Sequence, residues 1–487
     1  MARLVNRLEA DRIRARRLSL SIGAAVLASP AFAFDGGGAP LLHSVTTRPA
    51  HSAARTFEPS FRGIDDVLSA ATNGTRVFGA PSWLERQKVV ADDGTMMEQF
   101  GWTITVAGDA VYVGAPFASV EGHARQGAVY VYAKVDGLWT QVQKLVASDG
   151  VGGENFGASV SVDGTTMLVG AIRATIGGNV DQGAAYVFDR SGGSWSEAQK
   201  LVADDGMESD DFGYALKVEG DTAIIGAPFV NDRQGAAYVF QSSGSGWTQT
   251  QKLLAGDAAP DDLYGVALAF EGSTALIGAL SATIGENTDQ GAVYVLTRSG
   301  NTWSEAQKLV ADDGAASDRF GTAIGLSGGT AVISAIGATI DGNEGQGAAY
   351  VFDGAGGNWV RSGKLVAADG AASDNFGYSI ALRGDTVLIG APFAAVGENS
   401  AQGAAYVHAR SGGAWSAGTK LVAGDGAATS FYGWSGALDE GVALVGSIGA
   451  AIGDNPFQGA VYVYATGSDD GIFCSGFEDG ESGACAR

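Results

Sequence analysis

Residues 212–257 read FGYALKVEGDTAIIGAPFVNDRQGAAYVFQSSGSGWTQTQKLLAGD. The stretch divides into four strand-like pieces: FGYALKVEG (212–220), DTAIIGAP (221–228), QGAAYVF (234–240) and GWTQTQKLLAGD (246–257). Gly, Asp, Asn and Ser cluster at the joints, where tight turns need them. The second and third pieces are nearly continuous apolar runs rather than alternating ones. A strand written that way has both faces covered.

The pattern recurs along the chain. An aromatic-glycine pair stands at Phe100-Gly101, Phe156-Gly157, Phe212-Gly213, Tyr264-Gly265, Phe320-Gly321, Phe376-Gly377 and Tyr432-Gly433. Gln126, Gln182, Gln234, Gln290, Gln346, Gln402 and Gln458 open a Q-G-A phrase in phase with it. Trp83, Trp139, Trp195, Trp247, Trp303, Trp359 and Trp415 each precede a lysine by five residues. Such a period decides the architecture. Short antiparallel strands in fours, buried on both faces and repeated seven times, predict an all-β, seven-bladed β-propeller of four-stranded antiparallel blades. Small residues such as Gly213 and Ala215 let the crowded inner strands approach, and the Phe of each pair fills the wedge between blades. The lysines, Lys252 and Lys308 among them, belong to the outermost strand, where charge discourages edge pairing.

Counted from Phe100, six units are complete and the seventh stops after QGAVYVYA (458–465), one strand short. WLERQKVVADDG (83–94) is the missing strand, and it predicts a ring closed by the N-terminal strand completing blade 7. The propeller is assigned to residues 77–466. VFGAP (77–81) resembles part of a second strand and has no place in this scheme.

The flanks predict export. Arg12, Arg14, Arg16 and Arg17 precede LSLSIGAAVLA, which is too short to span a bilayer, and Ala31 and Ala33 form an A-x-A cleavage pattern. Residues 1–33 are read as a signal peptide cleaved after Ala33. Residues 34–76 form a linker expected to be poorly ordered. Residues 467–487 form a polar tail in which Cys474 and Cys485 are expected to pair. The destination is secreted, periplasmic or outer-surface, and no segment is long enough for a transmembrane helix. The formal net charge of −23 excludes nucleic acid and anionic membrane as natural partners.

F-G followed by G-A-P resembles the FG-GAP repeat of integrin α-subunit propellers and their bacterial relatives. The phrase is intact in FGWTITVAGDAVYVGAP (100–116), FGYALKVEGDTAIIGAP (212–228) and FGYSIALRGDTVLIGAP (376–392). It departs at Gly170-Ala171-Ile172, Gly278-Ala279-Leu280, Ser334-Ala335-Ile336 and Gly446-Ser447-Ile448. The resemblance implies a propeller serving adhesion or recognition, and calcium held by D-x-D-x-D-G loops. Those loops are absent: the corresponding hairpins read VAGDA, VDGTT, VEGDT, FEGST, LSGGT, LRGDT and LDEGV. None supplies the oxygens that calcium needs.

Strand parity places the 2–3 loops and the connections between blades on one face, and the connections are acidic. Two readings of that acid stand open. Asp-Gly turns use Asp side chains to bind their own backbone. Alternatively, pairs such as Asp205 with Asp210, Asp313 with Asp318 and Asp369 with Asp374 form weak calcium sites. No cofactor is assigned beyond that candidate calcium. The histidines His43, His51, His123 and His408 share no repeated partner, and no catalytic residue is assigned. Regular repeats favour a non-catalytic recognition or adhesion scaffold, monomeric, binding a protein or glycan ligand at the envelope or outside. The alternative is a polysaccharide hydrolase or lyase using carboxylates on the same face. A third, plainer reading is a stable envelope protein with no specific ligand.

Overall fold

The structure is a computed structural model that describes residues 83–466. The expected signal peptide with its cleavage after Ala33, the linker, VFGAP and the Cys474–Cys485 tail lie outside the described residues. Seven antiparallel sheets follow one another. In blade 2 the strands are Phe156–Asp163, Thr166–Ala171, Ala184–Ser191 and Ser194–Leu201, in that order across the sheet. Neighbouring first strands touch all the way around, so they line the axis. The second strands are buried almost throughout, Ala110–Ala115 entirely so, because blades cover both of their faces.

Blade 7 is built from both ends of the repeat region. Its sheet runs Tyr432–Asp439, Val442–Ser447, Ala460–Thr466 and then Trp83–Val89. Trp83 pairs with Thr466 and Val89 with Val461, antiparallel. The strand expected to close the ring does so.

Each aromatic-glycine pair sits in a seam. Phe212 meets Tyr238 and Phe240 of its own blade edge-on at 5.6 and 6.0 Å. It shares a core with Leu168, Val187 and Leu201 of blade 2. Beside it, Gly213 faces Gly170 of the preceding blade: a Cβ on Gly170 would strike the Gly213 carbonyl, and one on Gly213 would strike the carbonyl of Ala184. The same facing joins Gly114 to Gly157, Gly226 to Gly265, Gly278 to Gly321, Gly390 to Gly433 and Gly446 to Gly101. Only between blades 5 and 6 does a side chain intervene. There Ser334 faces Gly377, and its Oγ takes the Ala323 N–H at 2.9 Å.

The outer rim carries a second seam device. The Gln87 side chain holds both backbone groups of Trp139, receiving its N–H at 2.8 Å and donating to its carbonyl at 2.7 Å. Gln143, Gln199, Gln251 and Gln307 hold Trp195, Trp247, Trp303 and Trp359 in the same way. Gly363 and Thr419 stand where the remaining two glutamines would be, so the seams flanking blade 6 lack this clamp.

Blade 6 departs from expectation. Its outer strand is split into Ala414–Trp415 and Thr419–Leu421. Every other outer strand is continuous, although each carries a register shift near this point. Here Gly418 lies against the His408 ring. His408 fills the place taken by Phe188, Phe240 and Phe352 elsewhere. It is 1% exposed, its Nδ1 is 2.9 Å from the Ser416 carbonyl, and its Nε2 has no partner.

Two outcomes follow. Gly226→Ala should destabilise the ring by about 1–3 kcal/mol, the usual cost of forcing an atom into a packed seam, read as a lower urea midpoint. Burial lowers the His408 pKa from 6.5, against the Ser416 carbonyl, which raises it. The folded state therefore binds the proton less readily than the unfolded chain, so stability is lost as pH falls below 6.5. His408→Phe should remove that loss and relieve an orphaned buried nitrogen, worth about 1 kcal/mol. Melting curves of both proteins from pH 7.5 to 5 measure it.

Candidate functional site

The 2–3 loops and the blade connections together form one face of the ring. The two segments are laced together. Ser209 and Asp211 of one connection donate backbone N–H groups to Val180 and Asp181 of the preceding 2–3 loop. Beneath them, Gln182 is buried and accepts from Asn179 Nδ2 at 2.9 Å. A Cβ on Gly206 would meet the Gln182 amide, which would have to shift; the equivalent position over Gln234 is Ala258. His123 takes the asparagine's place in blade 1, with Nδ1 3.2 Å from Gln126 Oε1.

The acids of the connections divide into two sets. In every connection the aspartate at the position of Asp205 binds the outer-strand lysine. Lys252–Asp205, Lys364–Asp313 and Lys420–Asp369 are 2.6, 2.9 and 2.6 Å apart. Lys88–Asp425, Lys144–Asp93, Lys200–Asp149 and Lys308–Asp257 repeat the pair. Each lysine also lies over the third-strand tyrosine, Lys252 being 5.3 Å from the Tyr238 ring. Tyr186, Tyr294, Tyr406 and Tyr462 donate to Asp149, Asp257, Asp369 and Asp425. The lysines are therefore half-buried tethers between strand and connection rather than free charges guarding an edge.

The second acid closes its own turn. Asp210 Oδ2 accepts the Met207 N–H at 2.7 Å. Asp318 and Asp374 accept from Ala315 and Ala371 at 2.9 and 2.8 Å. These carboxylates are 5–6% exposed. The members of each expected calcium pair thus have separate protein partners. Among the described residues, no group of three or more His, Cys, Asp or Glu is placed to hold a metal ion.

Nearer the axis the sevenfold pattern breaks. The residue after each aromatic-glycine pair is Trp102, Ala158, Tyr214, Val266, Thr322, Tyr378 and Trp434 in turn. The aromatic ones gather at the axis. Trp434 is 5.0 Å from Trp102 and 4.7 Å from Tyr378. Tyr214 of blade 3 lies within electrostatic reach of Tyr378 of blade 6. Each intact G-A-P adds a phenylalanine: Phe117 on Trp102, Phe229 on Tyr214 and Phe393 on Tyr378, at 5.4, 6.1 and 5.9 Å. Arg125 lies 4.7 Å above Phe117. Sequence reasoning took the repeats as regular and passed over this cluster. Its signal was there, in FGW, FGY, FGY and YGW beside three copies of GAPF.

Asp211 borders the cluster. Burial pushes its carboxyl up to about 7, against the pull of Arg173 and with further push from Asp181 and Asp210.

The fold and this face define a seven-bladed β-propeller with a loop-built mouth at one end of its axis. The FG-GAP repeat model matches residues 83–132, 139–188, 195–240, 247–296, 303–352, 359–408 and 415–464. These spans make up well over half of the chain, which belongs to the FG-GAP repeat family. Each match starts on the outer strand of one blade and ends on the third strand of the next. No curated protein matches the chain.

Partial burial alone would raise the Asp313 carboxyl, but Lys364 and Tyr350 outweigh it and hold it below the usual 3.8. Its stabilisation is present above 3.8 and is lost as pH falls through the lowered folded value. Asp313→Asn should cost up to about 1 kcal/mol at pH 7, the upper range for an exposed pair. The variant should also lose less than the parent on acidification below pH 4. Urea titrations at pH 7 and pH 3 test both.

Proposed function

We propose that this chain is a non-catalytic recognition scaffold that binds a protein or glycan partner outside the cytoplasm through its loop face. The observation that carries the reading is the aromatic mouth. A repeat that needs only small residues there, as Ala158 and Thr322 show, has large half-buried rings in blades 1, 3 and 6. Trp and Tyr combine apolar area with a polar handle and suit contact surfaces. The FG-GAP propeller is a scaffold suited to interaction. The Arg12–Ala33 leader supports export, and no helix among the described residues is long and apolar enough to cross a membrane. The acidic character of the face rests on exposed 2–3-loop carboxylates such as Glu286, Asp341, Glu398 and Asp454. They would tune partner choice by charge.

One observation favours the enzymatic alternative. A carboxyl raised to about 7 beside an arginine, as at Asp211, has the form of a general acid.

Arrayed glycans and extracellular proteins, probed with the full chain, test the scaffold reading. Binding is expected, and Trp102→Ala should weaken it at least about tenfold while the melting transition stays cooperative. Silence across both arrays would overturn the reading. Calcium at millimolar concentration is expected to leave the melting temperature unchanged. Polysaccharide cleavage abolished by Asp211→Asn would establish the alternative instead.

A further inference from the structure

The outer strand of blade 6 is the one held by a glutamine clamp on neither side. Gly363 leaves Trp415 unheld from blade 5, and Thr419 leaves Trp83 of blade 7 unheld in turn. Burial follows the clamps. Trp139, Trp195, Trp247, Trp303 and Trp359 are at most 9% exposed, whereas Trp415 and Trp83 are only partly buried.

His408 lies under the gap in that strand. Val407 pairs with Thr419 and Arg410 with Trp415, so residues 416–418 bow past His408 and Ala409. Ser416 alone bridges the gap: its N–H reaches the Ala409 carbonyl at 2.8 Å, and its Oγ accepts the Ala409 N–H at 3.0 Å. The Ser416 carbonyl can only accept, so Nδ1 donates to it and Nε2 is the bare nitrogen of the neutral ring. Gly418 covers Nε2, and a Cβ there would stand 2.8 Å from it.

Nothing around this nitrogen would balance a charge. Phe376 meets the ring edge-on at 6.0 Å, and Val387 is its register partner on the second strand. On its own strand, Tyr406 is bound to Asp369, and Arg410 to Asp353 and Asp385. Lys420 of the outer strand also holds Asp369. Across the seam in blade 5, Arg361 and Lys364 are taken by Asp312 and Asp313. A proton on Nε2 would therefore put a charged, unpaired N–H into an apolar pocket. Water reaches that nitrogen once residues 416–418 swing out, and no clamp opposes the swing.

We propose that residues 414–419 form an acid-operated latch: protonation of His408 Nε2 releases this outer strand from blade 6 while the rest of the ring stays closed. Lys420 and Leu421, held by Asp369 and Ala405, keep the released segment anchored. Release leaves Val407–Arg410 of the third strand with an unpaired edge. The closed state binds the proton less readily than the open one, so opening is favoured as pH falls below 6.5.

The test is hydrogen exchange of the full chain, read by mass spectrometry at pH 7.5 and pH 5 and corrected with an unfolded reference peptide. One proton shifts the opening equilibrium by up to about tenfold per pH unit, so peptides covering 414–419 should lose at least about tenfold in protection at pH 5. The matching strands Ser194–Leu201 and Thr302–Leu309 should keep theirs. His408→Phe should abolish the loss. Gly363→Gln/Thr419→Gln, which installs both clamps and leaves His408 in place, should reduce it. Gly363 has room for the change, since a Cβ there would meet only Val351, at 3.6 Å. Equal protection at both pH values, or loss in all blades together, would overturn the proposal. So would a loss that persists in His408→Phe or that the clamp variant leaves unaltered.

Discussion

The close approach of two glycines across each seam governs the rest of the structure. Where the inner strands converge, one blade's Gly170 and the next blade's Gly213 leave no room for a Cβ. That contact lets the blades wedge together at the axis and open outward, and the widening gap is what Phe212 and its counterparts fill. The two halves of the FG-GAP phrase are thus one contact written on two blades. Ser334 shows how much departure the seam tolerates: one hydroxymethyl group, its hydroxyl satisfied by the Ala323 N–H.

Most of the architecture was legible in the sequence because its cause is local and repeated. Period, strand count and the closing strand follow from the phase of Phe-Gly, Gln-Gly-Ala and Trp. Side-chain destinations were less legible. Asp313 and Asp318 look like a pair in the sequence, yet one reaches forward to Lys364 and the other bends back to Ala315. Nothing in their spacing distinguishes a ligand pair from two separate tethers, since each partner is set by three-dimensional neighbourhood. Blade 6 was hidden for another reason. His408 and Thr419 are single departures in otherwise faithful repeats, and their effect appears only when the outer strand is seen to part around Gly418.

The loop face combines two layers of use. Its outer ring is mostly architecture, since lysine, tyrosine and aspartate bind each connection to its blade. Weak individually, these contacts recur in every blade and fix the loops from which the less regular side chains project. The inner ring and the tips vary from blade to blade because the frame beneath does not depend on them. Binding surfaces on repeat proteins arise in this way: the invariant positions carry the fold, and the free ones can diverge.

The clasp that closes the ring also sets how it answers to force. Trp83 and Thr466 face each other at the same end of an antiparallel pair, with Val89 and Val461 at the far end. The chain enters and leaves the ring side by side. Tension applied across these two residues therefore loads the hydrogen bonds one after another, as a zipper, rather than all at once in shear. A ring closed this way resists heat through seven shared seams, yet it gives way first, under tension, at blade 7.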